Sequence, residues 1–259
     1  MQGRTISVDG VVTHYYEAGE AHKGKRPSVL LLHSAEFGGC AETSWEHNLP
    51  VLAQHYHVLA PDHLGFGLTD KVFDFNGQFN KRITHIRRFV EAMDVARVHV
   101  MGSSMSGGLC LTVAAREKPD WPIASVVCCS GGGDAPDNEA RKVLNTYDGS
   151  KDHMRRIVEV MFVDPKYAAD DAYIERRWKW SRVPGAWEAT AAARFKAPFP
   201  KEEAKSERDA INYANIKVPT LVYAGRHDTL RAPGYTDGFV PKIKGAKLHV
   251  FEKAGHMGN

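Results

Sequence analysis

The sequence predicts an α/β fold: a mostly parallel central sheet flanked by helices, with a helical insertion after the sixth strand. Three observations predict it. Short, continuous apolar runs such as Ser28–His33 suit strands buried on both faces of a sheet. These runs alternate with segments of helical period, as in βαβ units. From about residue 136 to residue 208 the alternation stops, giving way to a charged, helix-prone stretch with no strand pattern, and it resumes at Pro219.

Taken in order, Thr5–Val8 and Val11–Tyr16 flank Asp9-Gly10, a two-residue hairpin signal. Ser28–His33 is the first buried strand, followed by a loop of small residues from Ser34 to Ser44. Trp45–His55 has helical spacing at Trp45, Leu49, Leu52 and Ala53, Tyr56–Ala60 reads as a strand, and Pro61–Asp70 as a loop. Ile83–Val95 is an amphipathic helix with Ile83, Ile86, Phe89, Val90 and Met93 on one face. A strand over Arg97–Met101, a helix over Ser104–Lys118 and a strand over Pro122–Cys129 follow, ending in Gly131-Gly132-Gly133. After the insertion come a strand at Pro219–Ala224, a helix at Tyr235–Ile243 and a last strand at Lys247–Phe251. The expected division is therefore a core of residues 1–135 and 209–259, interrupted by a helical lid over 136–208.

Composition narrows the function classes. A hydrophobic fraction of 43% with 25% charged residues is that of a soluble globular protein. The net charge of +3 is spread along the chain, with no basic stripe, so nucleic acid is not an expected partner. No apolar run approaches the length that spans a bilayer, and Met1–Gly10 has no signal-like apolar segment. A cytoplasmic location without membrane association is the default expectation. Cys40, Cys110, Cys128 and Cys129 form no CxxC pair and read as buried thiols. The thirteen His contain no HExxH motif.

The chemistry is concentrated where the Arg97–Met101 strand meets its helix, in Gly102-Ser-Ser-Met-Ser-Gly-Gly108. A sharp strand-to-helix turn can lift a serine hydroxyl above a sheet, provided that small residues stand two before and two after it. Only Ser104 meets that condition, with Gly102 and Ser106; Ser103 does not. Such a turn also aims the Met105 N–H and the helix N-terminus at a developing oxyanion. A serine hydroxyl needs a base, and the base an orienting acid. Gly225-Arg-His-Asp228 and Gly255-His256 each follow a late strand, in the order Ser, Asp, His. Asp228 is the expected acid, with Asp134 as the alternative, and His256 the base. The loop after the first buried strand supplies the second oxyanion donor, the backbone N–H of Ala35 or, next to it, Ser34.

Leu30–His33, Pro61-Asp-His-Leu-Gly-Phe-Gly67, Gly102–Gly108, Gly225–Asp228 and Gly255-His256 together resemble the α/β-hydrolases over nearly the whole chain. Within them, Gly65-Phe-Gly67, the Ser-Met pair at 104–105, Val160–Pro165 and Ile174–Arg177 are similar to the meta-cleavage product hydrolases, which cut a carbon–carbon bond in ring-opened catechols. The resemblance implies acyl transfer to water without metal or organic cofactor. It also implies that Arg177 binds the carboxylate of an aromatic-derived small molecule, with Ser103 and Met257 near the substrate; Trp178, with Trp180 and Phe195, either lines an aromatic pocket or packs the helices of the lid. Ser34 and Ser106 stand where relatives carry Gly, Ser103 where they carry Asn, and Met257 where they carry Trp; three residues follow His256 where relatives have a closing helix. Two further readings stay open: an esterase, lactonase or amidase for a small apolar acyl compound, and a ligand-binding protein of the same fold. The oligomeric state is open too, a homodimer among the options.

Overall fold

The computed structural model describes residues 2–195 and 211–258. Strands β1 (Gly3–Val8) and β2 (Val11–Ala18) form a hairpin whose turn residues Asp9 and Gly10 both have positive φ, 49° and 82°. The right-handed twist of the strands favours this mirror-image turn, and Asp-Gly adopts it at low cost. β3 (Ser28–Leu32), β4 (Val58–Pro61), β5 (Val98–Ser103), β6 (Ile123–Cys129), β7 (Thr220–Gly225) and β8 (Lys247–Phe251) complete one sheet in the order β1-β2-β4-β3-β5-β6-β7-β8. Only the β1–β2 and β2–β4 pairs are antiparallel. All five residues of β3 are buried, because helices cover both faces of the sheet there. From β3 the chain moves outward to β4 and then crosses back to β5 on the other side of β3. Such a reversal opens a crevice at the carboxyl ends of the two central strands, where open α/β sheets hold their ligands.

Two helical expectations are corrected in detail. The segment expected as one helix over 45–55 is two short ones, α1 (Ala41–Trp45) and α2 (Asn48–Leu52). Pro50 is the reason: without an N–H it cannot sit in a helix interior but fits the first turn of α2. Likewise the helix expected over 235–243 is two 3-10 turns, Tyr235–Gly238 and Val240–Lys242, split at Gly238 and with Pro241 in the second. α3 (Gln78–Ala92) and α4 (Met105–Ala115) flank the sheet, α4 packing on β5 and β6. Between β6 and β7 the described residues form α5 (Glu139–Asn145), α6 (Lys151–Met161), α7 (Lys166–Ala169), α8 (Asp171–Ser181) and α9 (Ala186–Ala191). Side-chain oxygens of Asn138, Ser150 and Asp170 cap α5, α6 and α8. These helices share a core of Met154, Ile157, Val158, Met161 and Ile174, into which Phe37 of the sheet domain inserts. Residues 196–208 of the expected insertion lie outside the described residues. Among the described residues no helix is long and apolar enough to cross a membrane, and all four cysteines are buried free thiols.

Asp62 organises the loop that follows β4. Its buried carboxylate accepts from His14 Nδ1 at 2.7 Å, Ala41 N at 2.8 Å and Leu68 N at 3.1 Å. A Cβ at Gly67 would fall 1.9 Å from that carboxylate, so glycine is required there. Burial alone raises the Asp62 pKa, but the His14 hydrogen bond, the neighbouring histidines and the Ala41 N–H together hold it below the usual value. Asp62→Ala, which strands these donors in the interior, is expected to cost about 3–5 kcal/mol in urea unfolding.

Candidate active site

β5 runs into α4 through Ser104, whose backbone has φ 53° and ψ −111°. A non-glycine residue at positive φ is strained, and the strain persists because the surroundings over-determine it. A Cβ on Gly102 would lie 2.4 Å from the Ser106 carbonyl oxygen, and one on Gly131 would lie 2.7 Å from the Gly107 Cα. The start of α4 therefore rests directly on β5 and on the end of β6. Ser104 N donates to Cys129 O at 2.7 Å, tying the turn to β6.

Two loops bring the partners. Asp228 follows β7 and His256 follows β8. His256 Nε2 lies 2.7 Å from Ser104 Oγ, and its Nδ1 lies 2.8 and 3.0 Å from the two Asp228 oxygens. Because Asp228 can only accept when ionised, Nδ1 carries the proton and Nε2 is free to accept from the serine. Asp228 also accepts from Leu230 N at 2.9 Å, and both side chains are buried. The histidine loop is firmly seated: Met257 N donates to Met161 O at the end of α6, and His227 N to Ala254 O. A Cβ on Gly225 would fall 2.0 Å from the Gly255 carbonyl, so this loop crosses β7 only over glycine. Asp134, the alternative acid, has no hydrogen bond to His256 and lines the cavity instead.

Ser106, where relatives carry glycine, makes a specific connection. Its hydroxyl donates to His33 O at 2.5 Å and accepts from His63 Nε2 at 2.8 Å. His33 in turn donates from Nδ1 to Ser34 O at 2.6 Å and accepts the His63 backbone N–H at Nε2. Burial lowers the pKa of both rings, and at His63 the neighbouring His33, Arg82 and His85 lower it further. This network pins the loop that carries Ser34 and Ala35 to the first turn of α4. Ala35 and Met105 both line the same cavity as Ser104 and His256. Met105 is the first residue of α4, so its N–H has no partner within the helix. Ser34 is buried, its hydroxyl 3.4 Å from that of Ser44.

The cavity has a volume of about 590 Å³, with Met161, Leu144, Gly132 and Tyr213 among its walls. Arg177 does not line it. This arginine is fully buried, its guanidinium 2.6 Å from Glu36 and 3.2 Å from the Tyr173 hydroxyl. The substrate-facing role that the resemblance implies for it is thus not the arrangement seen, because a carboxylate of the chain itself already holds it. Trp178 is also directed elsewhere, donating to Gly149 O and lying under Lys151. Ser103 and Met257 are buried against each other, Oγ to Sδ 3.8 Å, behind the cavity wall. The sequence reasoning missed Glu36 and three cavity-lining arginines, Arg141, Arg194 and Arg231. Arg231 had a signal, lying three residues beyond Asp228; Arg141 and Arg194 had none beyond their charge. Among the described residues no group of three or more His, Cys, Asp or Glu is arranged to hold a metal ion.

Comparison with known proteins agrees with this geometry. The alpha/beta hydrolase fold family matches residues 27–259. The 2-hydroxy-6-oxo-6-(2'-aminophenyl)hexa-2,4-dienoic acid hydrolase of Metapseudomonas resinovorans is 29% identical, the match covering 98% of this chain and 84% of that protein. The 2-hydroxymuconate semialdehyde hydrolase of Pseudomonas sp. (strain CF600) is 28% identical, covering 98% and 87%. Among solved structures, the meta-cleavage product hydrolase from Pseudomonas fluorescens IP01 superposes with a TM-score of 0.82 at 25% identity, covering 98% of this chain and 90% of that one.

The Glu36–Arg177 pair joins the β3 loop to α8 in a dry environment, with side-chain exposures of 3% and 0%. Removing one partner leaves an uncompensated buried charge. Arg177→Gln is expected to cost about 3–5 kcal/mol in urea unfolding, and Glu36→Leu combined with Arg177→Met less than either single change. Strictly additive losses would contradict the coupling.

Proposed function

The chain belongs to the alpha/beta hydrolase fold family, and on that premise we propose that it is a serine hydrolase that cleaves a carbon–carbon bond in a 2-hydroxy-6-oxo-dienoate-type ring-fission product. The observation that carries the reading is the unbroken chain from Asp228 through His256 to Ser104, opening on a cavity of about 590 Å³. Full-length similarity to hydrolases of such dienoates supports the substrate class.

In this reading His256 Nε2 takes the Ser104 proton as Oγ attacks the substrate carbonyl, and Asp228 stabilises the imidazolium. The backbone N–H groups of Met105 and Ala35 receive the oxyanion. For a dienol substrate, ketonisation comes first, so that the fragment leaving with the bonding electron pair is stabilised as an enolate. His256 then delivers the proton to that fragment, and a water activated by the same nitrogen releases the acid from Ser104. We also propose that residues 136–208 act as a lid on the core. The support is that α5 and α6 contribute Arg141, Leu144 and Met161 to the cavity wall. A cytoplasmic location and a carboxylate-bearing substrate belong to the same proposal.

A second reading, hydrolysis of an ester, is favoured by one observation: Arg177 is already spent on Glu36. A spectrophotometric panel of yellow ring-fission products and p-nitrophenyl esters separates the two. The expected outcome is rapid bleaching of a dienoate and poor ester turnover, with kcat reduced roughly a millionfold in Ser104→Ala. Ester turnover with inert dienoates would replace the carbon–carbon reading by the second.

A further inference from the structure

Three guanidinium groups, those of Arg141, Arg194 and Arg231, line the cavity that holds Ser104 and His256. Among the described residues none of them has an ion-pair partner, whereas Arg177 is matched by Glu36. Arg141 donates only to the Leu230 carbonyl through one terminal nitrogen, and its buried Nε has no partner. Arg231 donates from Nε to the Ser130 carbonyl, and Arg194 to the carbonyls of Thr190 and Leu144 and to Asn145 Oδ1. Carbonyl oxygens satisfy donors without supplying a counter-ion, and the rings of Phe37 under Arg194 and Tyr235 under Arg231 carry no formal charge. Burial lowers the Arg141 pKa and the neighbouring Arg231 charge lowers it further, against a smaller opposing effect of the Asp228 carboxylate. The cavity has two carboxylates on its wall, Glu36 and Asp134; the first is committed to Arg177, and the second makes no ion pair among the described residues. The remaining imbalance is positive and lies beside the nucleophile.

Resting on the hydrolase reading for its substrate, we infer that Arg141 and Arg231, with Arg194 at the same wall, form an anion subsite that binds a carboxylate of the substrate, the role that Arg177 cannot fill while it is paired with Glu36. Arg141 stands on α5 and Arg231 on the loop that carries Asp228. An anion between them joins the lid segment to the triad loop and relieves the repulsion of two half-buried cations. A planar guanidinium offers paired donors to a carboxylate, and such charge-assisted bonds are the stronger kind.

The test is titration calorimetry of the unaltered protein with two uncleavable probes of one carbon skeleton, hexa-2,4-dienoate and hexa-2,4-dien-1-ol. The dienoate is expected to bind roughly tenfold more tightly than the alcohol, and Arg141→Gln and Arg231→Gln each to lose roughly tenfold in dienoate affinity with alcohol affinity unchanged. Glutamine keeps a donor for the Leu230 or Ser130 carbonyl, and thermal unfolding of each variant checks its fold. Equal binding of the two probes by the unaltered protein, or an undiminished preference in the double variant, would overturn the subsite. Ser104-dependent turnover, assayed separately, tests the hydrolase reading: an inactive protein that keeps an arginine-dependent preference upholds the subsite and contradicts that reading.

Discussion

The chemistry of this molecule depends on a backbone contact too close for side chains. Where β5 turns into α4, Gly102, Gly107 and Gly131 bring three segments together at distances that no Cβ permits. That contact holds Ser104 at a φ of 53° and presents its hydroxyl to the histidine loop. The same contact places Ser106 under His33 and His63, so one turn of α4 positions the nucleophile and anchors the loop bearing Ala35. A second glycine crossing, at Gly225, fixes the height of the His256 loop over β7. The geometry of the three side chains follows from these two crossings, as the sheet's parallel order brings the ends of β5, β7 and β8 to one edge.

Charge is distributed around this frame in two layers. In the interior, acids and bases are matched: Asp62 with His14, and Arg177 with Glu36, whose carboxylate reaches the edge of the cavity. Buried pairs of this kind add little net stability but make the loss of one partner costly, which gives the loops that they join a single arrangement. Elsewhere on the cavity wall Arg141, Arg194 and Arg231 have no ion-pair partner among the described residues. The contrast follows from solvent: a dry charge needs a partner from the chain, whereas a charge on a cavity can wait for one from a ligand.

Much of the sheet and the three reacting side chains were legible in the sequence, for local reasons. The hairpin at Asp9-Gly10, the buried run at β3 and the small residues around Ser104 each encode their geometry within a few positions. The order Ser104, Asp228, His256 is legible because parallel strands deliver their carboxyl ends to one side. What was not legible is long-range pairing. Glu36 and Arg177 are 141 residues apart, and nothing near either indicates the other. Arg177 therefore read as a ligand-binding cation when the chain supplies its counter-ion. Ser106 read as a departure from glycine, and only its partners His33 and His63 show why a hydroxyl belongs there. The apolar spacing of Trp45, Leu49, Leu52 and Ala53 does not reveal the break that Pro50 imposes on the 45–55 segment.

The central claim is that His256, oriented by Asp228, activates Ser104. The most direct measurement is the rate of labelling by a fluorophosphonate probe, with the adduct mapped by peptide mass spectrometry. The account predicts one adduct, on Ser104, formed rapidly in the folded protein and slowed to the rate of the unfolded chain in His256→Ala. An adduct elsewhere, or a labelling rate indifferent to His256, would contradict it.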